Sequence, residues 1–184
     1  FELNYSFGKN LHAVFYYTDV KDVMTSVLTQ LPEQNITIRS IANIEGFKNK
    51  GLNLNHTYKP VTFWTIINNG NIFENHYFGT FNNEKINNRE WSYSLQTNHV
   101  FKMPRNWSIE LNGQYNSSQT YGVFQQKGTG FVSAGLMKSV WGDKLSLKLA
   151  ANDIFKTMNY QAESFTGGVR MNQSFDLDTR TILF

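Results

Sequence analysis

Cysteine is absent from the 184 residues of this chain. The chain therefore forms no disulfide bond and offers no thiolate to a metal ion, and cysteine usage says nothing about its compartment. Also missing is any run approaching the ~20 consecutive apolar residues that a membrane-spanning helix requires. A helical membrane protein is thus excluded. A membrane β-barrel is not, because its strands are half polar.

Charged side chains are scarce. They account for 17% of the residues, against about 25% in a typical soluble domain, and Asn, Ser and Thr carry much of the polarity. The net charge is only +3 and the Lys and Arg residues are scattered, which disfavours nucleic-acid binding. Aromatic residues make up 15% of the chain, which argues against disorder. Few charges with many aromatic and uncharged polar groups are typical of a barrel wall.

The clearest pattern is an alternation of apolar and polar residues on both sides of a turn at 103–106. After the turn, one side carries Trp107, Ile109, Leu111, Gly113 and Tyr115, and the other carries Ser108, Glu110, Asn112, Gln114 and Asn116. Before the turn, Trp91, Tyr93, Leu95 and Phe101 oppose Ser92, Ser94, Gln96, Asn98 and Lys102. A period of two is that of an extended chain. The pattern predicts a transmembrane β-hairpin whose polar side faces a lumen or a plug.

Turn signals divide the chain into about nine strands, at 1–7, 11–25, 37–58, 61–78, 91–102, 107–124, 130–141, 144–152 and 169–184. Tight turns at Gly8-Lys9-Asn10, Lys59-Pro60, Met103-Pro104-Arg105-Asn106 and Gly142-Asp143-Lys144 alternate with longer loops at 26–36, 79–90, 125–130 and 153–168. Short turns on one rim and long loops on the other are typical of outer-membrane barrels.

The strand count and the last strand both suggest a segment of a larger barrel. A complete bacterial barrel has an even number of strands, so nine predicts that further strands precede these. On the last strand the apolar side is assigned to Val169, Met171, Phe175, Leu177 and Leu183. Ile182 and the terminal aromatic Phe184 then fall on the polar side, and we expect the closing strand to continue beyond residue 184.

Three segments near the end form a recognisable series. They are Gly130-Phe131-Val132-Ser133-Ala134-Gly135-Leu136-Met137-Lys138-Ser139, then Asp143-Lys144-Leu145-Ser146-Leu147-Lys148-Leu149, then Asn152-Asp153-Ile154-Phe155-Lys156-Thr157, with Asp178-Thr179-Arg180 after them. This order resembles the C-terminal barrel region of TonB-dependent outer-membrane receptors, in particular the Bacteroidetes outer-membrane β-barrel type. The segments 50–54 and 106–111 are similar to earlier hairpins of that family, so the resemblance covers essentially the whole chain.

The resemblance implies an all-β, antiparallel transmembrane β-barrel segment. Residues 1–184 would be about the last nine strands of a barrel of about 22 strands with a plugged lumen, located in the bacterial outer membrane. It implies active uptake of a nutrient, with an inner-membrane energy-transducing protein and a surface lipoprotein as partners. The plug and the energy-coupling box have no counterpart in this sequence, so we expect a passive wall segment that cannot transport by itself.

Three groups of residues are candidates for function. Membrane-interface aromatics are predicted at Trp64, Trp91, Trp107 and Trp141, because an indole suits the headgroup level. Lipid-facing residues are predicted at Ile109, Leu111, Leu145, Leu147, Leu149 and Leu177. Substrate contacts in the long loops are predicted at Phe81, Tyr121, Phe124, Gln125, Tyr160 and Phe165, because loops often carry binding function.

No catalytic motif or metal-binding spacing is present. The four histidines, His12, His56, His76 and His99, lie far apart in sequence, and no motif places a nucleophile beside a base. We therefore expect no cofactor, no metal and no enzymatic activity. Two alternatives remain open, a β-sandwich module that binds glycans with the same aromatics and amides, and a small outer-membrane barrel enzyme.

Overall fold

The computed structural model describes residues 1–34, 36–142, 144–166 and 169–184, which form two antiparallel β-sheets. The strands are β1 Glu2–Phe7, β2 Leu11–Leu31, β3 Ile36–Val61, β4 Trp64–Phe81, β5 Glu84–Met103, β6 Trp107–Asn116, β7 Gln119–Tyr121, β8 Phe124–Gln126, β9 Thr129–Val140, β10 Leu145–Asn152, β11 Tyr160–Thr166, β12 Val169–Phe175 and β13 Thr181–Leu183. Single 3-10 turns occur at Pro32–Gln34 and Pro104–Asn106. No helix in the described ranges is long and apolar enough to cross a membrane.

The larger sheet, called here the main sheet, has nine strands in the order β1-β2-β3-β4-β5-β6-β9-β10-β13. Neighbouring strands are antiparallel throughout. The predicted all-β, antiparallel architecture is therefore confirmed. Within the described residues, the edge strands β1 and β13 pair with β2 and β10 and not with each other.

The register divides the main sheet into two faces, because directly paired residues point to the same side. The side called the apolar face carries Leu3, Tyr5, Leu11, Phe15, Leu52, Leu54, Ile66, Ile72, Tyr93, Leu95, Phe101, Ile109, Leu111, Val132, Leu136, Leu145, Leu147 and Leu149. The opposite side, the polar face, carries Asn4, Ser6, Asn53, Asn55, Asn69, Asn71, Ser94, Gln96, Asn98, Ser108, Asn112, Gln114, Ser133 and Ser146. The alternation read from residues 91–116 thus extends across the sheet.

Two of the predicted long loops are wrong, because the strands continue through them. The predicted loop at 79–90 is a two-residue turn between β4 and β5, in which Asn82 and Asn83 have φ of 50° and 64°. Two-residue hairpin turns whose twist matches that of the flanking strands require this left-handed conformation. Asparagine tolerates it. The predicted loop at 26–36 is likewise mostly strand, since β2 and β3 pair as far as Leu31 and Ile36. Polar residues that resemble loop sequence are here paired strand residues.

The turn between β3 and β4 is also shifted from its predicted position. The chain reverses at Thr62 and Phe63, and not at Lys59-Pro60. The register between β3 and β4 shifts between Tyr58 and Val61. Proline has no N–H to donate to the ladder, so it is tolerated at such an irregularity within a strand.

The smaller sheet, called here the accessory sheet, has the order β12-β11-β8-β7. It corrects two predicted strands. The strand predicted at 107–124 ends at Asn116, and the chain leaves the main sheet to form β7 and β8 before returning in β9. The strand predicted at 169–184 is split, because β12 pairs with β11 whereas only β13 joins the main sheet. Asn35, Asp143 and Gly167-Gly168 lie outside the described residues.

The residues of the last strand, β13, lie on the opposite faces of the main sheet from those predicted. Ile182 pairs with Ala151, which shares the apolar face with Leu149. Leu183 pairs with Ala150 and so belongs to the polar face. The error follows from treating 169–184 as one continuous strand, since the break at 176–180 resets the alternation.

A small hydrophobic core lies where the accessory sheet meets the extended ends of β2, β3, β4 and β5. Its buried residues are Val27, Leu28, Ile44, Tyr77, Ile86, Val123 and Phe124. This end of the molecule is called the long-loop end, and the end that carries the turns before β2, β4, β6 and β10 is the short-turn end. The core therefore holds the accessory sheet in place beyond the middle of the main sheet.

Candidate membrane-facing wall and ligand-facing surface

The apolar face is exposed along its whole width. Leu111 is 40% exposed and Leu147 is 57% exposed, and neither is enclosed between two sheets. Ile109, Leu145 and Leu149 share this face with them. A contiguous apolar surface that extends across the main sheet is stable only against another apolar phase or a partner.

Leu177 does not belong to this face by strand alternation. It lies in the segment 176–180, between β12 and β13, where the structure has no strand. Its side chain is 52% exposed. The prediction that Leu177 lies on a lipid-facing strand is therefore wrong, because Leu177 is not in a strand.

Aromatic residues bound the apolar face. Trp64 begins β4 and stacks on Phe101 with ring centroids 5.3 Å apart. Trp107 begins β6, and Lys138 Nζ lies 4.8 Å from its ring centroid. Trp91 is on the same face but inside β5, because that strand begins at Glu84 and not at residue 91. Trp141 follows β9 at the short-turn end and is 77% exposed.

The distance between the two rows of aromatic residues agrees with the height of the apolar band of an outer-membrane barrel. Residues 91 and 101 of β5 are separated by ten residue steps, about 33 Å along a strand. A tilt of about 40° reduces this to roughly 25 Å across the sheet, the height of the apolar band of an outer-membrane barrel.

Polar side chains on the apolar face bond to one another. Trp64 Nε1–H donates to His99 Nδ1 at 3.2 Å. His99 Nε2 lies 3.1 Å from Thr97 Oγ1, whose hydroxyl donates to Asn68 Oδ1 at 2.8 Å. Because each group has a partner, the cost of placing them in an apolar band is reduced.

The polar face is rich in amide side chains. Asn49 Nδ2 donates to Asn75 Oδ1 at 2.7 Å, and the Tyr16 hydroxyl donates to Asn71 Oδ1 at 3.2 Å. A cavity of about 380 Å³ lies against this face between β2 and β6, lined in part by Asn53 and Gln114. Amides donate and accept hydrogen bonds without carrying charge, so this surface suits uncharged polar ligands or a hydrated plug.

The accessory sheet stands on the same side as the polar face. Asn75 Nδ2 donates to the Thr120 carbonyl at 3.1 Å, and Asn88 Nδ2 donates to the Gly122 carbonyl at 2.8 Å. Gly122 has φ of 60°, and a Cβ there would collide with the Thr25 hydroxyl. These contacts place β7 and β8 over the polar face at the long-loop end.

A second cavity, of about 430 Å³, opens between β5 and the accessory sheet. It is lined by polar residues that include Asn88, Glu90, Gln125, Glu163 and Arg170. Gln125 Nε2 donates to Glu90 Oε1 at 3.2 Å. Polar residues from β5 and from the accessory sheet therefore lie on opposite sides of this cavity.

Two titratable groups at the accessory sheet, Glu163 and Tyr77, have shifted pKa values. Lys127 Nζ lies 2.7 Å from Glu163 Oε1, and Arg170 lies 3.7 Å from the second oxygen. The hydrogen bond and charge of Lys127 hold the pKa of Glu163 below its ordinary value. Burial under the accessory sheet, with the nearby Tyr121, raises the pKa of Tyr77 to about 12. Both groups therefore keep one protonation state at neutral pH.

The predicted loop contacts occupy different environments. Tyr121 is 58% exposed and Gln125 is exposed in the polar cavity, whereas Phe124 is 5% exposed and belongs to the core. Phe81 packs against the same core. Tyr160 pairs with Phe175, with ring centroids 5.6 Å apart. The side chain of Phe165 lies outside the described residues.

The histidines contact separate partners. His12 is bonded to Ser6 at 2.9 Å and His76 to Asn87 at 2.9 Å, while His56 stacks against Tyr58. No group of three or more metal-ligating side chains is found in the described part of the chain.

Asp153 organises the loop that follows β10. The sequence analysis named this residue only as part of a segment that resembles the family and gave it no role. Its carboxylate accepts the N–H groups of Thr157 at 2.9 Å and Met158 at 3.1 Å, and also the Thr179 hydroxyl. Desolvation raises the pKa of Asp153, but these hydrogen bonds outweigh it, so the pKa lies below its ordinary value. Asp153 therefore ties the start of the loop to the segment leading into β13.

A nine-stranded antiparallel sheet with one exposed apolar face and one amide-rich face defines a wall of a membrane β-barrel. The chain belongs to the outer membrane protein beta-barrel family, whose model matches residues 1–184. The protein is accordingly located in the bacterial outer membrane. Comparison with curated proteins and with solved structures gives no match.

Proposed function

We propose that this chain forms part of the barrel wall of a TonB-dependent outer-membrane receptor that takes up a nutrient. The apolar face contacts lipid, the polar face lines the lumen, and the accessory sheet forms part of the extracellular vestibule. The observation that carries the proposal is the accessory sheet bonded over the polar face, because it narrows the lumen where a ligand enters.

The aromatic and amide residues of the vestibule are the proposed ligand contacts. Tyr121 and Gln125 are exposed on the accessory sheet, and Gln125 lines the polar cavity that contains Glu90. Uncharged amides together with aromatic rings suit a ligand with hydroxyl groups and apolar surfaces. We also propose that the wall itself has no enzymatic activity and requires no cofactor.

Transport in this proposal depends on further components. The energy comes from an inner-membrane energy-transducing protein that acts through a plug, and a surface lipoprotein assists ligand capture. These partners are proposed on the resemblance to TonB-dependent receptors, in particular the Bacteroidetes type. The exposure of Leu111 and Leu147 favours this reading over a β-sandwich, in which they would face a second sheet.

Uptake measurements in cells test the proposal. Cells carrying the full-length protein are compared with cells in which its gene or the energy-transducing protein is deleted, using growth on single nutrients. We expect uptake of at least one nutrient to require both. Uptake that continues unchanged without the energy-transducing protein would contradict active transport.

A pair of tyrosine substitutions tests the contact residues. Tyr121→Ala on the accessory sheet should reduce uptake about tenfold or more, the effect of losing one well-placed aromatic contact. Tyr58→Ala, which removes a similarly exposed tyrosine from the apolar face, is the matched control and should leave uptake near the wild-type value. Equal effects of the two substitutions, at equal abundance in the outer membrane, would remove the accessory sheet from ligand binding.

A further inference from the structure

The cavity of about 430 Å³ between β5 and the accessory sheet, called here the vestibule cavity, is lined by groups that can accept hydrogen bonds. Its walls include the amides of Asn88 and Gln125 and the carboxylates of Glu90 and Glu163. An amide can serve as donor or as acceptor. What it offers to a ligand therefore depends on which of its atoms the protein already uses.

Both amides use their nitrogen within the protein. Asn88 Nδ2 donates to the Gly122 carbonyl at 2.8 Å, and Gln125 Nε2 donates to Glu90 Oε1 at 3.2 Å. These bonds fix the orientation of each amide. In the described part of the chain, no side-chain or backbone donor is bonded to Asn88 Oδ1 or to Gln125 Oε1. Each carbonyl oxygen thus keeps its full accepting capacity, whereas each nitrogen has one hydrogen left.

Glu90 adds a carboxylate whose charge has no counterpart nearby. Its Oε1 accepts hydrogen bonds from the Ser118 hydroxyl and from Gln125. Its Oε2 is enclosed and accepts none. No ion pair among the described residues includes Glu90. An enclosed charge without donor or cation is costly, so a cation bound beside Glu90 would gain an attraction that the protein itself does not use.

The other charged groups around the vestibule cavity have less influence on a ligand inside it. Lys127 Nζ lies 2.7 Å from Oε1 of Glu163, and Arg170 Nη2 lies 3.7 Å from Oε2. Arg89 belongs to the opposite face of β5. The side chains of all three cations are more than half exposed. Water therefore screens their charge, whereas the enclosed oxygen of Glu90 is screened less.

We propose that the vestibule cavity binds a ligand through a primary ammonium group, whose hydrogen bonds are accepted by the carbonyl oxygens of Asn88 and Gln125 and whose charge is opposed by Glu90. This rests on the proposed function, because it names the chemical class of the ligand that the vestibule captures. An ammonium group carries three donors and no acceptor, and so complements a site whose free atoms are mainly acceptors. A hydroxyl group would satisfy the acceptors but not the charge of Glu90.

Calorimetric titration of the purified full-length protein in detergent tests this inference with two pairs of probes. One pair is the disaccharide of glucosamine and its N-acetylated form, and the other is the amidated dipeptide of lysine and its N-acetylated form. Acetylation removes the positive charge and keeps the rest of the probe. We expect an amine probe to bind at least tenfold more tightly than its acetylated form, since a unit charge within about 6 Å at an effective dielectric constant of about 20 contributes more than that.

The two pairs also distinguish the source of the ammonium group. Tighter binding of the glucosamine disaccharide indicates an amino sugar, and tighter binding of the lysine dipeptide indicates a peptide. If neither amine probe binds, or if each acetylated form binds as tightly as its amine, the inference is overturned.

Substitution of Glu90 identifies the charge responsible. Glu90→Gln keeps the size of the side chain and an acceptor for Ser118 but removes the charge. It should weaken the amine probe at least tenfold and change the acetylated probe less than about twofold. Glu110→Gln is the matched control. Glu110 also lies on the polar face, but it pairs with Val100, ten residue steps from Glu90 and about 33 Å along β5. Equal weakening by the two substitutions would contradict the role of Glu90.

A second variant keeps the test decisive if Glu90→Gln does not fold. Gln125→Met removes the accepting oxygen from an exposed residue and should weaken the amine probe about tenfold, the effect of losing one hydrogen bond to a charged group. Unchanged binding would count against the site. The titration requires no energy source, so its outcome is separate from that of the uptake experiment. Energy-dependent uptake of a nutrient without an amine would leave transport intact and remove this inference, whereas amine binding without energy-dependent uptake would remove active transport alone.

Discussion

At the scale of single residues, Asp153 shows how one carboxylate can hold two distant segments together. It accepts backbone N–H groups from Thr157 and Met158 and the hydroxyl of Thr179. The sequence analysis singled out 152–157 only because it resembles a family motif. A chemical reason for the aspartate becomes visible once residue 179 is seen beside it, and sequence separation concealed that contact.

Replacing Asp153 tests this role. Asp153→Asn keeps the shape but removes one acceptor and the charge, so the amide hydrogens of Thr157 and Met158 should exchange with solvent at least tenfold faster at pH 7, as measured by hydrogen exchange. Because the folded pKa is lowered, the wild-type contribution is complete above the ordinary carboxyl value of about 4 and is lost as pH falls below it. Asp178→Asn, which removes an exposed carboxylate, should leave these rates unchanged. Unchanged rates in Asp153→Asn would refute the assigned role.

The ion-paired group of Glu74, Arg89 and Lys50, in which Arg89 Nε lies 2.9 Å and Lys50 Nζ 3.6 Å from the Glu74 carboxylate, was not identified from the sequence. Its members are separated by 15 and 24 positions along the chain, which gives no spacing signal. Only the pairing of β3 with β4 and of β4 with β5 brings them into contact. Their residue types gave no signal either, because the same side of these strands also carries the polar residues Asn68, Thr97 and His99.

At the scale of elements, β6 provides a sharp test of the two faces. Leu111 lies midway between Trp107 and Tyr115 on the apolar face, and Asn112 is its neighbour on the polar face. Leu111→Arg should reduce stability by about 2–4 kcal/mol, the cost of an arginine at the membrane midplane, whereas Asn112→Arg should change it by less than about 1 kcal/mol. Urea unfolding of the full-length protein in lipid vesicles measures the difference. Equal costs for the two arginines would contradict the assignment of the apolar face to lipid.

The long strands show where the sequence pattern was insufficient. β2, β4 and β5 extend well beyond the apolar band, and polar residues such as Ser26, Asn87 and Asn88 lie in their outer parts. Asparagine and serine are also common in turns, and 26–36 and 79–90 were predicted to be loops. At these positions, pairing with a neighbouring strand and packing against the accessory sheet determine that the residues form strand and not loop.

At the scale of the whole molecule, the exposed apolar face determines the solvent that the protein requires. Leu147 and Trp91 are 57% and 58% exposed, with similar residues across neighbouring strands. We expect the full-length protein to be monomeric in detergent or lipid and to aggregate when detergent is removed, because the face would then contact water. Light scattering during detergent removal measures this. A monomer that unfolds cooperatively in detergent-free buffer would instead favour the β-sandwich alternative.

The sequence alone determined the two faces of the wall. Side chains alternate with a period of two in any extended strand, so the separation of Trp107, Ile109 and Leu111 from Ser108, Glu110 and Asn112 could be read without coordinates. The short turns before β2 and β6 were also readable, because Gly8 permits the positive φ of a tight turn, whereas Pro104 has a fixed φ and no N–H to donate.

The tertiary structure decided how the polar segments are used. The accessory sheet, the face on which Ile182 lies and the ion pairs of Glu74 with Arg89 and Lys50 all depend on contacts between segments distant in sequence. A residue such as Asn75 has the same local preferences whether it is solvated in a loop or bonded to Thr120. Which of these occurs is fixed by the energy of pairing and burial, and that energy exists only when the partner strand is in place.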